Sequence, residues 1–486
     1  MHFDNDYLDL HCHPAMKPFG KSFNRSPAGQ QSANRAHRSS LWKYDPPSLG
    51  DKMLNFIGGL TKFSQANGGS LARGGVSVIC ASLYPLERPF VQNSLPGDLM
   101  RDLMANLALG IGDRRIDHLQ GLRNYFDDLE AEYDFYRQRS GHVVRLPEGR
   151  FRYQLVRNYA EIQQARSHAE KGIRTICIVP TIEGLHVLNT DLEAEPSEDR
   201  FLASLRKLKQ WDHPPFFITV AHHFWNHICG HSPSLTPMVS NFIDQSEGLG
   251  GGITNLGRAV LREMLSAASG PRILPDLKHM SPLARKELYA LRRDGSLGSP
   301  DFPMLFSHAA CNGLRSSDNP VPGDLPTTAS LNQASINLYN EEIVEIARSG
   351  GLIGLQLDER RIVSAEARKR VRHSLLRHKV MHYRSELLWN QVQHIAEVLD
   401  REGLFAWDCM AIGSDFDGII DSLNGFWTAE EIPYLADFLE RHAYNYMQRP
   451  NLSESGNIIP PDQIIGRLFS GNGHRFMQEH FTGRAS

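Results

Sequence analysis

The stretch Tyr7–Pro14, YLDLHCHP, places two imidazoles one residue apart at the end of an apolar run. In an extended strand successive side chains point to opposite faces, so His11 and His13 share a face and Cys12 takes the other. Two imidazoles converging on one spot suit a metal, because neutral His is a common nitrogen ligand for zinc and its neighbours. An isolated H-x-H is at least as often a surface pair at a strand end. The reading therefore turns on whether further ligands follow at equivalent places downstream.

Working outward from this stretch, short β-rich runs bounded by turn signals recur along the chain. They are Tyr7–Leu10, Val76–Ala81, Thr175–Val179, Phe216–Val220, Arg272–Leu274, Met304–Phe306, Leu352–Leu357 and Met410–Gly413. Segments of helical period lie between most of them: Asn158–Lys171, Arg258–Ala268, Ser281–Arg293, Glu341–Arg348 and Glu386–Arg401, each followed by Gly or a turn. Eightfold strand–helix alternation predicts an α/β fold, a (β/α)8 TIM barrel with long βα-loop insertions. A doubly wound open sheet is the competitor, but no G-x-G-x-x-G phosphate loop follows any of the runs. The expected organisation is one barrel domain over residues 1–486, with insertions at about 14–75 and 312–335. The first insertion is polar with an apolar patch near Met53–Leu60, the second is turn-rich, and both are candidates for rims or lids on the catalytic face. Ala429–Phe481 reads as helices that close one end.

The bulk composition narrows the function classes. With 41% hydrophobic and 22% charged residues and a net charge of −3, there is no sign of disorder and no basic surface for nucleic acid or anionic membrane. No apolar run is long enough to cross a bilayer. Asp4, Asp6 and Asp9 stand where a secretory leader would carry a basic region and an apolar core, and Met1 is present. The six cysteines (12, 80, 177, 229, 311, 409) form no C-x-x-C pair, as in reduced thiols of a cytosolic protein. A cytoplasmic location is the expectation.

The strand ends carry the chemistry. Strand one ends in His11 and His13, and strand three runs into VPTIEGLH and delivers Glu183. ITVAHH delivers His222, LPDLKH delivers His279, LFSH delivers His308 and IGSDFDG delivers Asp415. Each alone reads best as a satisfied structural side chain. Seven groups of ligand type at the C-terminal ends of six strands, where barrel enzymes place their active sites, do not. A carboxylate such as Glu183 can bridge two cations while imidazoles complete each sphere, leaving Asp415 to hold and deprotonate water. Two divalent ions about 3.5–4 Å apart would bring the pKa of bridging water from about 15.7 towards about 7.

Other signals carry less. In HHFWNHICGH, His223, His227 and His231 have i, i+4 spacing, but the Glu of H-E-x-x-H is missing and Pro233 follows, so a metalloprotease helix is not expected. Only His222 of this run is taken as catalytic, the others as shaping the loop. Cys12 and Cys311 lack the partners of a nucleophile and read as packing residues.

At this point the motifs resemble the membrane (renal) dipeptidases, a metallopeptidase branch of the amidohydrolase superfamily. DLHCHP, IEGLH, VAH, PDLKH, FSH and IGSDFDG occur in that family's order, and NEEIVEIARSGGLIGL and SGNGHRFM look like its later segments. The resemblance runs from Leu8 to about Phe476, with the two insertions outside it. It implies a zinc-dependent dipeptidase with two zinc ions per chain, or manganese or another divalent ion. His11 and His13 would hold one ion, Glu183 would bridge, and His279 and His308 would hold the other, with metal-bridged hydroxide as nucleophile. His222 matches the histidine that stabilises the oxyanion. Asp415 matches the aspartate that binds the substrate amine and moves the proton. The implied partner is a small-molecule substrate, with neither nucleic acid nor membrane, and because relatives of this family are often homodimers a homodimer is the expectation.

Two departures bear on specificity. The family has His-x-Asp in its first motif, where this chain has His13, and a neutral ligand in place of an anion raises the net charge of the site. An arginine that grips the substrate carboxylate follows FSH in the family, whereas here alignment gives Ile336 or Asn319. Loss of a bidentate Arg–carboxylate contact removes charge and geometry together. Arg315, Arg360 and Arg361 are the candidate replacements, Arg361 being carried forward as a substrate-binding residue, with solvated loop charges as the ordinary alternative. The competing readings are a hydrolase of the same fold acting on another small amide, ester or lactone, and a non-catalytic metal-binding scaffold.

Overall fold

The computed structural model describes residues 6–25, 27–58, 63–92, 110–167, 172–235, 240–298, 301–371 and 376–483. Ten strands form one sheet: β1 (Tyr7–Cys12), β2 (Val76–Leu83), β3 (Val144–Leu146), β4 (Gly149–Leu155), β5 (Ile173–Glu183), β6 (Phe217–Thr219), β7 (Leu274–Asp276), β8 (Leu305–Ala309), β9 (Leu352–Leu355) and β10 (Met410–Ile412). Eight of them pair in the order β1-β2-β5-β6-β7-β8-β9-β10, all parallel. The ring closes where β10 meets β1: the Asp415 amide donates to the His11 carbonyl at 2.9 Å, and the His13 amide to the Phe416 carbonyl at 2.8 Å. This is the TIM barrel expected from the alternation, and its strands are buried on both faces, which is why they read as continuous apolar runs.

The helical segments follow the expected pattern. Asn255–Leu265, Pro282–Arg293, Asn340–Arg348 and Arg377–Arg401 are helices, and Tyr159–Ser167 is the described part of the segment expected over 158–171. β3 and β4 fall outside the expected strands. The hairpin fills the lower edge of β5: residues Ile173–Ile178 pair with β4, and Ile182–Glu183 pair with β6 on the same side. Two further helices, Asp113–Gln120 and Tyr125–Arg137, lie in a segment to which no element was assigned.

Two buried aspartates tie the barrel together just beneath the site. Asp9 of β1 accepts from the Ser414 hydroxyl at 2.5 Å and its amide at 2.9 Å, fixing the loop after β10. Asp276 of β7 accepts from Thr219 on β6 at 2.7 Å and from Ser307 on β8 at 2.6 Å. Charge-assisted bonds of this kind align neighbouring strands without a metal. Gly354 is required here, since a Cβ at that position would stand 1.9 Å from the Ser307 carbonyl oxygen.

The first insertion is anchored to the barrel. Asp417 receives the Lys17 ammonium at 2.6 Å and the Gln65 and Ala66 amides at 3.0 and 2.9 Å. The end of its apolar patch, residues 59 and 60, lies outside the described residues. At the far end of the barrel the C-terminal helices close the floor, with Asn472 donating to the Trp407 and Met410 carbonyls. All six cysteines are buried and unpaired. No helix among the described residues is long and apolar enough to cross a membrane.

Candidate metal centre

The barrel brings the seven strand-end groups into one cluster. Glu183, at the tip of β5, is its hub. The Nε2 atoms of His11, His13, His222, His279 and His308 all lie 3.0–3.6 Å from a carboxylate oxygen of Glu183. His11 and His13 present their Nε2 atoms 3.1 Å apart, as expected for alternate residues of one strand. Asp415 Oδ1 stands 3.8 and 3.7 Å from the same two nitrogens. All seven side chains are buried.

This arrangement fits a pair of divalent ions. Among the described residues, His11, His13 and Glu183 form one donor group and Glu183, His279 and His308 another, while His11, His308 and Asp415 form a third that overlaps both. Glu183 belongs to two of these groups, as a bridging carboxylate must. The outer nitrogens are also arranged for metal binding. Nδ1 of His13 donates to the Ser82 carbonyl at 3.1 Å, and Nδ1 of His308 contacts the Ser307 hydroxyl at 2.9 Å. Such partners fix ring orientation and leave Nε2 to the ion.

The electrostatics show what a cluster of five imidazoles around one carboxylate does before any ion is considered. Burial pulls His11 down to about 3 and holds His279 and His308 well below the ordinary imidazole range. Burial also opposes protonation of His13, but the Glu183 carboxylate overrides it and lifts that ring to about 9. Glu183 is held well below the carboxylate range, because the surrounding imidazoles outweigh its burial. Asp415 is pushed well above it by burial and by Glu183. Two carboxylates whose environments push them in opposite directions can play different roles. His279 and Asp415 also sit in the left-handed backbone region, at φ 67° and 60°. Non-glycine residues in that region store strain, which clusters at functional sites.

Two participants were missed in the sequence. Glu87, four residues past β2, is fully buried and takes Nδ1 of His222 at 2.7 Å, together with the amides of His223 and Phe224 at 3.2 Å and the Tyr84 hydroxyl at 3.0 Å. Its burial opposes ionisation, but the His222 and His186 imidazoles bring its carboxyl down to about 2. A strand-end search limited to the first residue or two after each strand passes over it. Lys278, beside His279, is buried, and its ammonium is drawn down to about 7 by burial and by Arg361.

The candidate replacements for the missing arginine separate clearly. Ile336 is buried in the apolar interior, and Asn319 and Arg315 are exposed loop residues. Arg360 is spent on Asp358, with bonds of 3.0 and 2.9 Å, and on the Ile419 carbonyl. Among the described residues Arg361 makes one side-chain hydrogen bond, to the Ser234 carbonyl, and its charge acts on Asp415, Lys278 and His223. In the HHFWNHICGH run no helix forms: His227 is left-handed at φ 65°, and His231 bonds the Glu247 carbonyl at 2.9 Å. Changing Glu87 to Gln is expected to leave metal content unchanged and lower kcat about 10–100-fold, the usual cost of losing a partner that orients an imidazole. Elemental analysis beside steady-state kinetics checks both halves.

The barrel and its mouth thus define a fold with a donor set for two divalent ions. No family model matches the chain, and no curated protein sequence does. Among solved structures, dipeptidase AC, a metallopeptidase of family M19, is similar at 16% identity with a TM-score of 0.51, covering 98% of this chain and 99% of that one. A metallopeptidase from Rhodobacter sphaeroides, liganded with a phosphinate mimic of the dipeptide L-Ala-D-Ala, is similar at 15% identity and a TM-score of 0.51 over the same shares. The fold is therefore that of the M19 metallopeptidase structures, in line with the resemblance carried by the motifs.

Proposed function

We propose that the protein is a zinc-dependent dipeptidase, or a hydrolase of a closely related small amide, acting at the Glu183 cluster. The observation that carries this reading is the convergence of five imidazoles on Glu183, with Asp415 beside them. His11 and His13 would hold one ion, His279 and His308 the other, and Glu183 would bridge. Ions held there would supply Lewis-acid charge and acidify a water.

The remaining steps belong to side chains. The Glu87 carboxylate accepts from Nδ1 of His222 and so aims its Nε2 at the oxyanion developing on the scissile carbonyl, to which a proton on that atom would be donated. Asp415 takes the proton from the attacking water and passes it to the leaving amine, a general-base step followed by a general-acid step. Its raised affinity for a proton suits that transfer. Arg361, whose guanidinium makes one hydrogen bond among the described residues and whose charge acts on Asp415, would take the substrate carboxylate, which would favour a dipeptide over a neutral amide or lactone.

The test is metal content of protein purified without chelator, run beside amino-acid release from a dipeptide panel in wild type and Arg361→Ala. Near two ions per chain, dipeptide turnover, and a KM raised at least about tenfold by the substitution support the reading as stated. Two ions without dipeptide turnover keep the hydrolase and move the substrate to another amide, ester or lactone. Less than one tightly bound ion, not restored by added zinc or manganese, overturns it.

A further inference from the structure

The reading above leaves His223 without a task. Among the described residues, His222, His223 and His279 each offer a ring nitrogen so placed that the three lie within 4.8 Å of one another. Their ring centroids are 3.9 Å apart for His222 and His223, 4.5 Å for His222 and His279, and 5.0 Å for His223 and His279. Of the four donor groups of this kind among the described residues, His223 belongs to this one alone.

Two of the rings are each held through one nitrogen, which turns the other toward the cluster. Nδ1 of His222 is engaged by Glu87 at 2.7 Å, and Nδ1 of His223 by the Ser234 hydroxyl at 2.5 Å. Gln245 braces the second pair, donating from Nε2 to the Ser234 hydroxyl and to the His223 carbonyl, both at 2.6 Å. An imidazole held through one nitrogen by a carboxylate or hydroxyl directs the other at a metal. In His279, Nδ1 is buried with no hydrogen-bond partner among the described residues, while Nε2 faces Glu183 at 3.4 Å. A buried polar atom left unpaired costs free energy that a ligand would recover.

We propose that His222, His223 and His279 form an additional divalent-ion seat, beside the pair of ions at Glu183, which inhibits the enzyme when filled. The seat rests on the two-ion hydrolase reading for its inhibitory effect, not for its geometry. An ion there takes the Nε2 lone pair of His222, and the proton that this atom would donate to the oxyanion goes to solvent. It also claims His279, either through Nδ1, whose proton leaves with it, or by competing for Nε2 with the second catalytic ion. Excess zinc or cobalt therefore removes the oxyanion donor while leaving the substrate-binding groups in place. His223 marks the seat because the two-ion centre does not use it.

The probe is cobalt(II), added to the metal-stripped full chain and followed by visible absorbance and by elemental analysis, with zinc inhibition measured alongside. Wild type is expected to take up a third, weaker equivalent and to lose activity as it fills. His223→Asn is expected to bind two ions, which also shows that it folds, and to withstand at least about tenfold more zinc, the least that losing one imidazole should cost. Saturation of wild type at two ions overturns the seat alone, as does inhibition of His223→Asn at the wild-type zinc concentration. A single ion that the substitution abolishes would keep the seat and sink the two-ion hydrolase.

Discussion

Replacing Asp415 by Asn is expected to lower dipeptide turnover about 10³-fold while both ions stay bound, a loss of roughly 4 kcal/mol in transition-state stabilisation. The amide keeps an oxygen where Oδ1 stood, 3.8 and 3.7 Å from the His11 and His13 nitrogens, so the donor geometry is little disturbed. It cannot take a proton from water or return one to an amine. The backbone supports the same assignment: the residue is held left-handed at φ 60° by its amide bond to the His11 carbonyl, so its carboxylate is aimed by the barrel closure itself. Steady-state kinetics with metal content on the same samples decides the matter. Turnover within about tenfold of wild type would move the proton transfer to another group, with Lys278 the nearest alternative.

The barrel and the donor set were legible in the sequence for one physical reason. Parallel strands buried on both faces read as unbroken apolar runs, so a His or Glu at the end of one stands out. His11, Glu183, His222, His279, His308 and Asp415 were all found that way. Glu87 was hidden because it follows β2 by four residues, in a loop that reads as a turn. Its role appears only when its bonds from the Tyr84 hydroxyl and the Phe224 amide hold it against His222. Lys278 was masked by its neighbour His279, and its burial, with its charge acting on Asp415, depends on tertiary packing.

The hairpin of β3 and β4 did leave a signal. Phe151, Tyr153 and Leu155 alternate with Arg150, Arg152 and Gln154, and the first set is buried. The period of two was present, but the strands are short and flanked by charge. The arginine question could not be settled by alignment. Ile336 goes to the apolar interior, whereas Arg361, far away in sequence, is drawn to the mouth by the Ser234 carbonyl. Sequence spacing reports which strand a residue follows; it does not report which way a long loop side chain turns.

Replacing Glu183 by Gln should do more damage than any other single change, because one carboxylate neutralises and joins both halves of the cluster. Metal content is expected to fall from near two ions to one or fewer, with activity lost in proportion. The pH dependence of metal uptake gives an independent reading. In wild type the Glu183 carboxylate lifts His13 to about 9, so below that pH an ion must displace a proton from His13. Apparent affinity should therefore climb with pH, by up to about tenfold per unit from this group alone, and level off above about pH 9. In Glu183→Gln the main attraction that holds the His13 proton is gone, and burial depresses the ring against the smaller pulls of Asp415 and Glu132. That contribution to the slope should then shrink at pH values above about 6.5, the ordinary imidazole value. The sign is fixed: a base with a raised pKa is protonated over more of the neutral range, so removing the cause makes uptake less pH-dependent there. Cobalt titrations of the two proteins at several pH values between 6 and about 9.5 measure this directly. Parallel slopes in both would mean that Glu183 does not hold the His13 proton, and the 3.0 Å contact between them would then carry no charge coupling.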